Sequence, residues 1–273
     1  MIQIRQGRAG GRYRAIFRTC LAESLTYRSQ NAVWVVQGVL PPLFAIIAWL
    51  AIYGGRQQVG SFTRSDMITY YLVISVAWYV IGGRINNQIA RAIKDGSLAH
   101  QLLKPYAALA PQVLGEQCWK LVSLVLALPL YLVLVLYFHH DLHLALSLPR
   151  LALALASMVL SATIFIILEV ILGSLAFWTT DTRNLFEVYD LLLVLASGEL
   201  APISLFPGWL GDVLNGLPFR YTFSFPVEVF LGKLGPTQTA LGLLVQLGWL
   251  AALCGLARLL WIRGLRRYSA AGM

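Results

Sequence analysis

The apolar residues of this chain are gathered into long runs separated by short polar or broken stretches. Ala32 to Gly55, Met67 to Gly83, Leu121 to Phe138, Leu151 to Leu168 and Leu234 to Ala257 hold no Asp, Glu, Lys or Arg. Each approaches or exceeds the roughly 17–25 residues that a helix needs to cross a bilayer. Leu185 to Ala201 is a weaker sixth segment, because it carries Glu187, Asp190 and Glu199. At about 1.5 Å per residue it still reaches roughly 26 Å. The pattern therefore predicts an all-α polytopic membrane protein, a single transmembrane domain over 1–273. Its six spans fall at about 33–53, 67–84, 112–138, 150–178, 185–201 and 236–260.

Three segments beside these runs carry patterns of their own. Gly11 to Gln30 places Tyr13, Ile16, Phe17, Cys20, Leu21, Ser24 and Tyr27 on one side of a helix, and Arg12, Arg14, Arg18 and Glu23 on the other. That spacing predicts an amphipathic interfacial helix over 11–30, its arginines toward anionic lipid. Arg84 to Pro111 is long for a helix–helix connection, which usually takes about 2–8 residues. Ile85, Ile89, Ala92 and Ile93 form an apolar face, Gly96 supplies a stop, and Ser97 is placed to cap a second short helix ended by Lys104-Pro105. The expected product is a protrusion with Arg91, Lys94, Asp95 and Lys104 exposed, while Ile89, Ile93, Leu98 and Leu102 hold it against the spans. Gly198 to Lys233 interleaves Pro202, Pro207, Pro218 and Pro226 with Trp209, Phe219, Phe223, Phe225 and Phe230. It is too apolar for a solvated loop and too broken for a spanning helix. Short outer re-entrant helices over 202–233 are expected, with Trp209, Tyr221 and the phenylalanines at headgroup depth.

Composition sharpens this reading. The chain is 58% hydrophobic and 12% charged, about half the charged share of a typical soluble domain, roughly 25%. A soluble enzyme is excluded. The net charge of +9 is explained by topology. With six spans and a cytoplasmic N-terminus, only Arg56, Arg64, Arg150, Arg220 and Lys233 of the 21 basic residues fall outside. The other sixteen, Arg5 and Arg8 among them, fall inside, as the positive-inside tendency favours. Those residues flank spans and form no stacking surface, so nucleic-acid binding is a poor reading. The first run begins near Ala32, late for a cleaved secretory signal, and the first span is expected to be retained. Cys20, Cys118 and Cys254 are scattered and read as packing residues.

Catalytic motifs are missing. No G-x-x-x-x-G-K-[ST], H-E-x-x-H or G-x-S-x-G string occurs. Glu169 interrupts the stretch from Leu151 to Thr180, and an acid inside a membrane marks a functional site by default. It falls roughly 27 Å along its helix from Leu151, near the inner interface, where solvent, Arg183 or Lys120 would satisfy it. Glu187 and Asp190 are placed near the inner end of span five, and Glu199 near the outer end. His139, His140 and His143 with Asp141 read as an exposed polar turn, or as a metal site.

The layout resembles the ABC type-2 export permeases. The string IKDGSLAHQLLKP at Ile93–Pro105 is similar to that family's segment after span two. GELAPISLFPGWL at Gly198–Leu210, followed by LPFRYTFSFPVEVFLGK at Leu217–Lys233, resembles its outer block before the last span. The resemblance implies a permease subunit of the bacterial inner membrane with both termini cytoplasmic, moving substrate outward by alternating access. Soluble ATP-binding-cassette ATPase subunits would carry the ATP and Mg, a second permease (identical or homologous) would complete the pathway, and this chain would hold no cofactor and be no enzyme. It makes 88–105 the coupling segment, with Arg91, Lys94, Asp95, His100 and Lys104 as ATPase contacts. A proton-coupled secondary transporter using Glu169 is the alternative, and a membrane enzyme using the outer histidines a third reading.

Overall fold

The computed structural model describes residues 9–142 and 147–268. Arg5, Arg8 and His143 lie outside the described residues. Eleven helices are described: α1 (Ala9–Thr26), α2 (Arg28–Tyr53), α3 (Arg64–Val80), α4 (Ile85–Lys94), α5 (Ser97–Leu102), α6 (Ala110–Tyr137), α7 (Leu148–Ser174), α8 (Arg183–Ala196), α9 (Gly208–Gly216), α10 (Ser224–Leu231) and α11 (Pro236–Arg267). One antiparallel hairpin, β1 (Gln58–Val59) and β2 (Phe62–Thr63), joins α2 to α3, with Gln58 opposite Thr63. Single 3₁₀ turns occupy His139–Asp141, Leu175–Phe177 and Ile203–Leu205.

Five stretches are long and apolar enough to cross a membrane: Gln30–Tyr53, Arg64–Lys94, Ala110–Tyr137, Leu148–Phe177 and Pro236–Arg267. Their outward faces are apolar too, with Phe44, Ile47, Val133 and Leu136 exposed. In lipid such a surface faces a like solvent, so this is an integral membrane protein built from helices. The predicted span 185–201 differs. Its helix, α8, has 14 residues, about 21 Å, which is short of the roughly 30 Å hydrocarbon core. The predicted interfacial helix ends at Thr26 rather than at 30, and α2 begins directly after Tyr27. The last helix runs on to Arg267 rather than ending at 260.

α7 lies at the centre, packed against α4, α10 and α11. A buried polar pin joins these elements: Gln246 of α11 donates to Ser161 Oγ at 3.0 Å and to the Tyr221 carbonyl at 3.1 Å, and accepts from Ser157 Oγ at 3.1 Å. Buried amides and hydroxyls in an apolar medium need such partners, and here each supplies the other's. At the hairpin end, Thr63 and Asp66 form a reciprocal capping box on α3. Lys233 reaches that carboxylate at 2.5 Å, tying the entry of α11 to the entry of α3.

The two ends of α8 show where it runs. Thr182, just before it, accepts from Lys94 Nζ at 2.8 Å. Just after it, Tyr70 and Tyr71 of α3 donate to the carbonyls of Gly198 and Leu200 at 2.8 and 2.6 Å. At the α4–α5 end, Arg12 of α1 donates to the Pro105 carbonyl. Trp261 and Tyr268 stack around Phe177.

The segment 202–233 contains two short helices, α9 and α10. Trp209 is 73% exposed and Pro207 exposed, but Pro202, Pro218 and Pro226 are buried and Phe219 half-buried. Tyr221, Phe223 and Phe225 are enclosed between α3, α7 and α11. Trp78, Phe165 and Phe223 pack as a ring cluster with centroids 4.9–6.1 Å apart, a favourable arrangement for buried rings.

Candidate functional site

The break between α3 and α4, at Gly82-Gly83-Arg84, is where three buried ionisable side chains converge. Glu169 of α7 is 1% exposed, and its Oε2 accepts the Asn86 backbone amide, in the first turn of α4, at 3.1 Å. It is neither solvated nor paired with Arg183, which instead bridges the exposed Glu187 at 3.0 Å. Glu116 of α6, also buried, accepts from Gln88 Nε2 at 3.3 Å. Lys120, one turn further along α6, donates to the Ile81 and Val80 carbonyls at 3.0 and 3.4 Å, and its charge is felt by both carboxylates.

The signs follow from helix electrostatics. The first amides of a helix are unpaired and carry partial positive charge, and the last carbonyls partial negative charge. Two carboxylates sit at the start of α4 and one ammonium at the end of α3. A close approach completes the joint. Gly173 lies four residues after Glu169 on the same face of α7, and a Cβ there would stand 2.7 Å from Ile89 Cβ and 3.0 Å from the Asn86 carbonyl. Only glycine lets α4 come this near.

Beyond the joint, α4 buries Ile85, Ile89, Ala92 and Ile93. Gly96 adopts φ +78° and turns the chain into α5. The Ser97 side chain does not cap α5; Asp95 Oδ1 accepts the Ser97 amide at 2.9 Å. Those bonds from Ser97 hold the Asp95 carboxyl below the usual carboxylate range. Arg91, Lys94, Asp95, His100 and Lys104 are all exposed. Leu102 is not held against the spans: it is exposed, and Leu103 is 84% exposed, because α5 is too short to turn both toward the core. The protruding surface thus joins charged and apolar groups. Beside it, a polar pocket of about 580 Å³ separates α1 from α4 and α5, lined by Glu23, Arg91, Asp95, Gln101 and Gln112.

A second cavity, of about 800 Å³, extends from the joint along α2 and α3. Its lining includes Gly83, Arg84 and Glu116 at the joint, Tyr71, Trp78, Glu199 and Leu200, and Pro41 and Pro42 of α2. Glu199 accepts from Ser197 Oγ at 3.2 Å. Asp190 is exposed on α8. α8 buries a narrow stripe, Phe186, Tyr189, Leu193 and Ala196, and leaves Val188, Leu191, Leu192, Val194 and Leu195 exposed.

A family model described as "ABC-2 family transporter protein" matches residues 39–272. The chain belongs to that family. It is the permease component of an ABC transporter, and the match covers every span helix described above, α2 from Val39 onward. No curated protein and no solved structure matched the chain.

In this ABC-2 permease the predicted site residues divide into groups. Arg91, Lys94, Asp95, His100 and Lys104 share one protruding surface. Glu169 belongs to the joint beside it, and Glu199 to the lining of the cavity. Glu187 stands apart, engaged with Arg183. His139 and His140 lie on an exposed turn with rings 3.7 Å apart, and no group of three metal-binding side chains occurs among the described residues. Glu116 and Lys120 were not singled out from sequence as a pair. Their i, i+4 spacing, immediately before the uncharged run from Leu121, was the available signal.

Proposed function

We propose that this permease is the membrane subunit of an exporter, driven by separate ATP-binding-cassette ATPases that dock on the α4–α5 protrusion. The observation that carries this reading is the joint: α6 and α7 grip the first turn of α4, whose far end bears the exposed charges. Closure of the ATPases around ATP and Mg displaces α4 and α5. Glu169, Glu116 and the Gly173 contact leave α4 little freedom to move alone, so α3, α6 and α7 follow, and the pathway changes its open side. Substrate then leaves outward by alternating access.

Six crossings complete the proposal, with α8 as a shortened fifth crossing. Its support is the contact of its two ends with Lys94 and with Tyr70 and Tyr71. An even number of crossings and the sixteen-to-five charge split favour cytoplasmic termini in a bacterial inner membrane. α1 is the interfacial helix. The apolar outer face of α8 supports pairing with a second permease, identical or homologous, since a short helix with such a face gains by burial against another.

Coexpression with a tagged ATP-binding-cassette ATPase tests the reading. The purified chain alone hydrolyses no ATP; the complex shows nucleotide-dependent export into inverted vesicles. ATP hydrolysis by a preparation containing only this chain would overturn the reading.

A further inference from the structure

We propose that the cavity between α2 and α3 is the substrate site and that it takes amphipathic organic monocations, an inference that rests on the permease reading and adds the substrate class to it. Its size fits: about 800 Å³ lies within the roughly 300–1,000 Å³ of sites for drug-sized ligands. Its wall is aromatic. Trp34, Tyr71, Trp78, Tyr79 and Trp119 all line it, and aromatic faces carry partial negative charge that attracts a cation. Its polar lining is acidic. Glu116 and Glu199 are set against Arg84, the one basic residue among those lining it, so the wall carries one more acidic than basic side chain.

Glu169 and Lys120, behind that wall, are engaged with backbone groups of the α3–α4 break and are not among the side chains that line the cavity. A neutral lipid-like molecule would leave the acidic excess of the wall unanswered, and an anion would add to it. An aromatic or alkylated ammonium or phosphonium ion meets both the rings and the carboxylates. Glu116 lies at the joint, where it accepts from Gln88, and Glu199 follows α8, so a bound cation touches the elements that the ATPase cycle moves.

Tetraphenylphosphonium and its anionic isostere tetraphenylborate separate charge from size and apolarity. Binding of each to the full chain in phosphatidylcholine nanodiscs is measured with empty discs subtracted. Saturable binding of the cation is expected, with the anion at least roughly tenfold weaker. Glu199→Gln is expected to weaken the cation at least about tenfold and to leave the anion unchanged or tighter. Trp34→Leu guards against a folding artefact, because Trp34 is a partly exposed side chain on α2; it is expected to weaken the cation with an unchanged melting temperature. Equal binding of the two ions, or cation binding indifferent to both variants, overturns the proposal. Failure of the permease reading is seen separately. Cation binding without any nucleotide-dependent transport in the ATPase complex would leave the site standing and the exporter reading fallen. Transport without cation binding would do the reverse.

Discussion

The Glu169 carboxylate of α7 accepts the Asn86 amide of α4 at 3.1 Å, although 83 residues separate them in the chain. This places an acid of a spanning helix at the positive end of the helix that protrudes. Lys120 provides the converse contact at the end of α3. The α3–α4 break is therefore braced on both sides, by charges whose signs match the helix ends they meet.

Replacing Glu169 separates bracing from proton transfer. Glu169→Gln keeps an oxygen that can accept the Asn86 amide, so expression, melting temperature and export should stay near wild type. Glu169→Leu leaves a buried amide unpaired, at a cost of about 1–3 kcal/mol, and should lower both the melting temperature and export. A proton relay requires the carboxyl group and would lose export in both variants. Export assays with and without a collapsed proton gradient, alongside thermal unfolding, distinguish the cases.

Gly173→Ala tests the close approach. The added Cβ meets Ile89 Cβ at 2.7 Å and the Asn86 carbonyl at 3.0 Å. Neither is the far end of a flexible side chain, so overpacking of about 1–3 kcal/mol is expected. Ile89→Ala in the same chain should recover part of that loss despite being destabilising alone. Simple additivity in this double-mutant cycle would show that α7 and α4 are not in tight contact.

Lys94→Glu with Lys104→Glu tests docking. Lys94 gives up one hydrogen bond to Thr182, worth about 1 kcal/mol, and Lys104 a contact over the Tyr106 ring. The variant should express and fold. Reversed charges at a docking surface create like-charge contacts costing several kcal/mol, so the ATPase should be lost during purification. Copurification at wild-type stoichiometry, with normal export, would show that α4 and α5 are no coupling element.

Cysteine labelling tests the topology. With Cys254, the exposed native thiol, changed to Ser, Gln58→Cys on the hairpin should react with an impermeant maleimide in intact cells. His100→Cys on α5 should react only after permeabilisation. The reversed pattern would invert the assignment.

Local patterns made much of this architecture readable. Uncharged runs located five crossings because each long helix must present apolar side chains to lipid over most of its surface. Gly96 announced the turn between α4 and α5 because a positive φ is costly for any residue with a Cβ. The prolines between 202 and 226 announced broken helices because proline removes an amide donor. The side chains of the joint were less legible. Glu169 stood out, but its partner is a backbone amide, which has no sequence signature. Leu102 was assigned to the buried face on helical spacing, yet α5 ends there and the periodic stripe has no next turn to continue it.

By itself, then, the sequence determined which segments are apolar enough to leave water and where the backbone must turn. These follow from each residue's own solvation and backbone preferences. Tertiary structure alone decided that Glu116, Lys120 and Glu169 meet at one helix break, that Tyr221, Phe223 and Phe225 are enclosed, and that α8 ends at Ala196 against Tyr70 and Tyr71. The physical reason is that a buried polar group must find a partner wherever packing brings one, and α3, α6, α7 and α8 are brought together by helix packing that no local stretch of chain encodes.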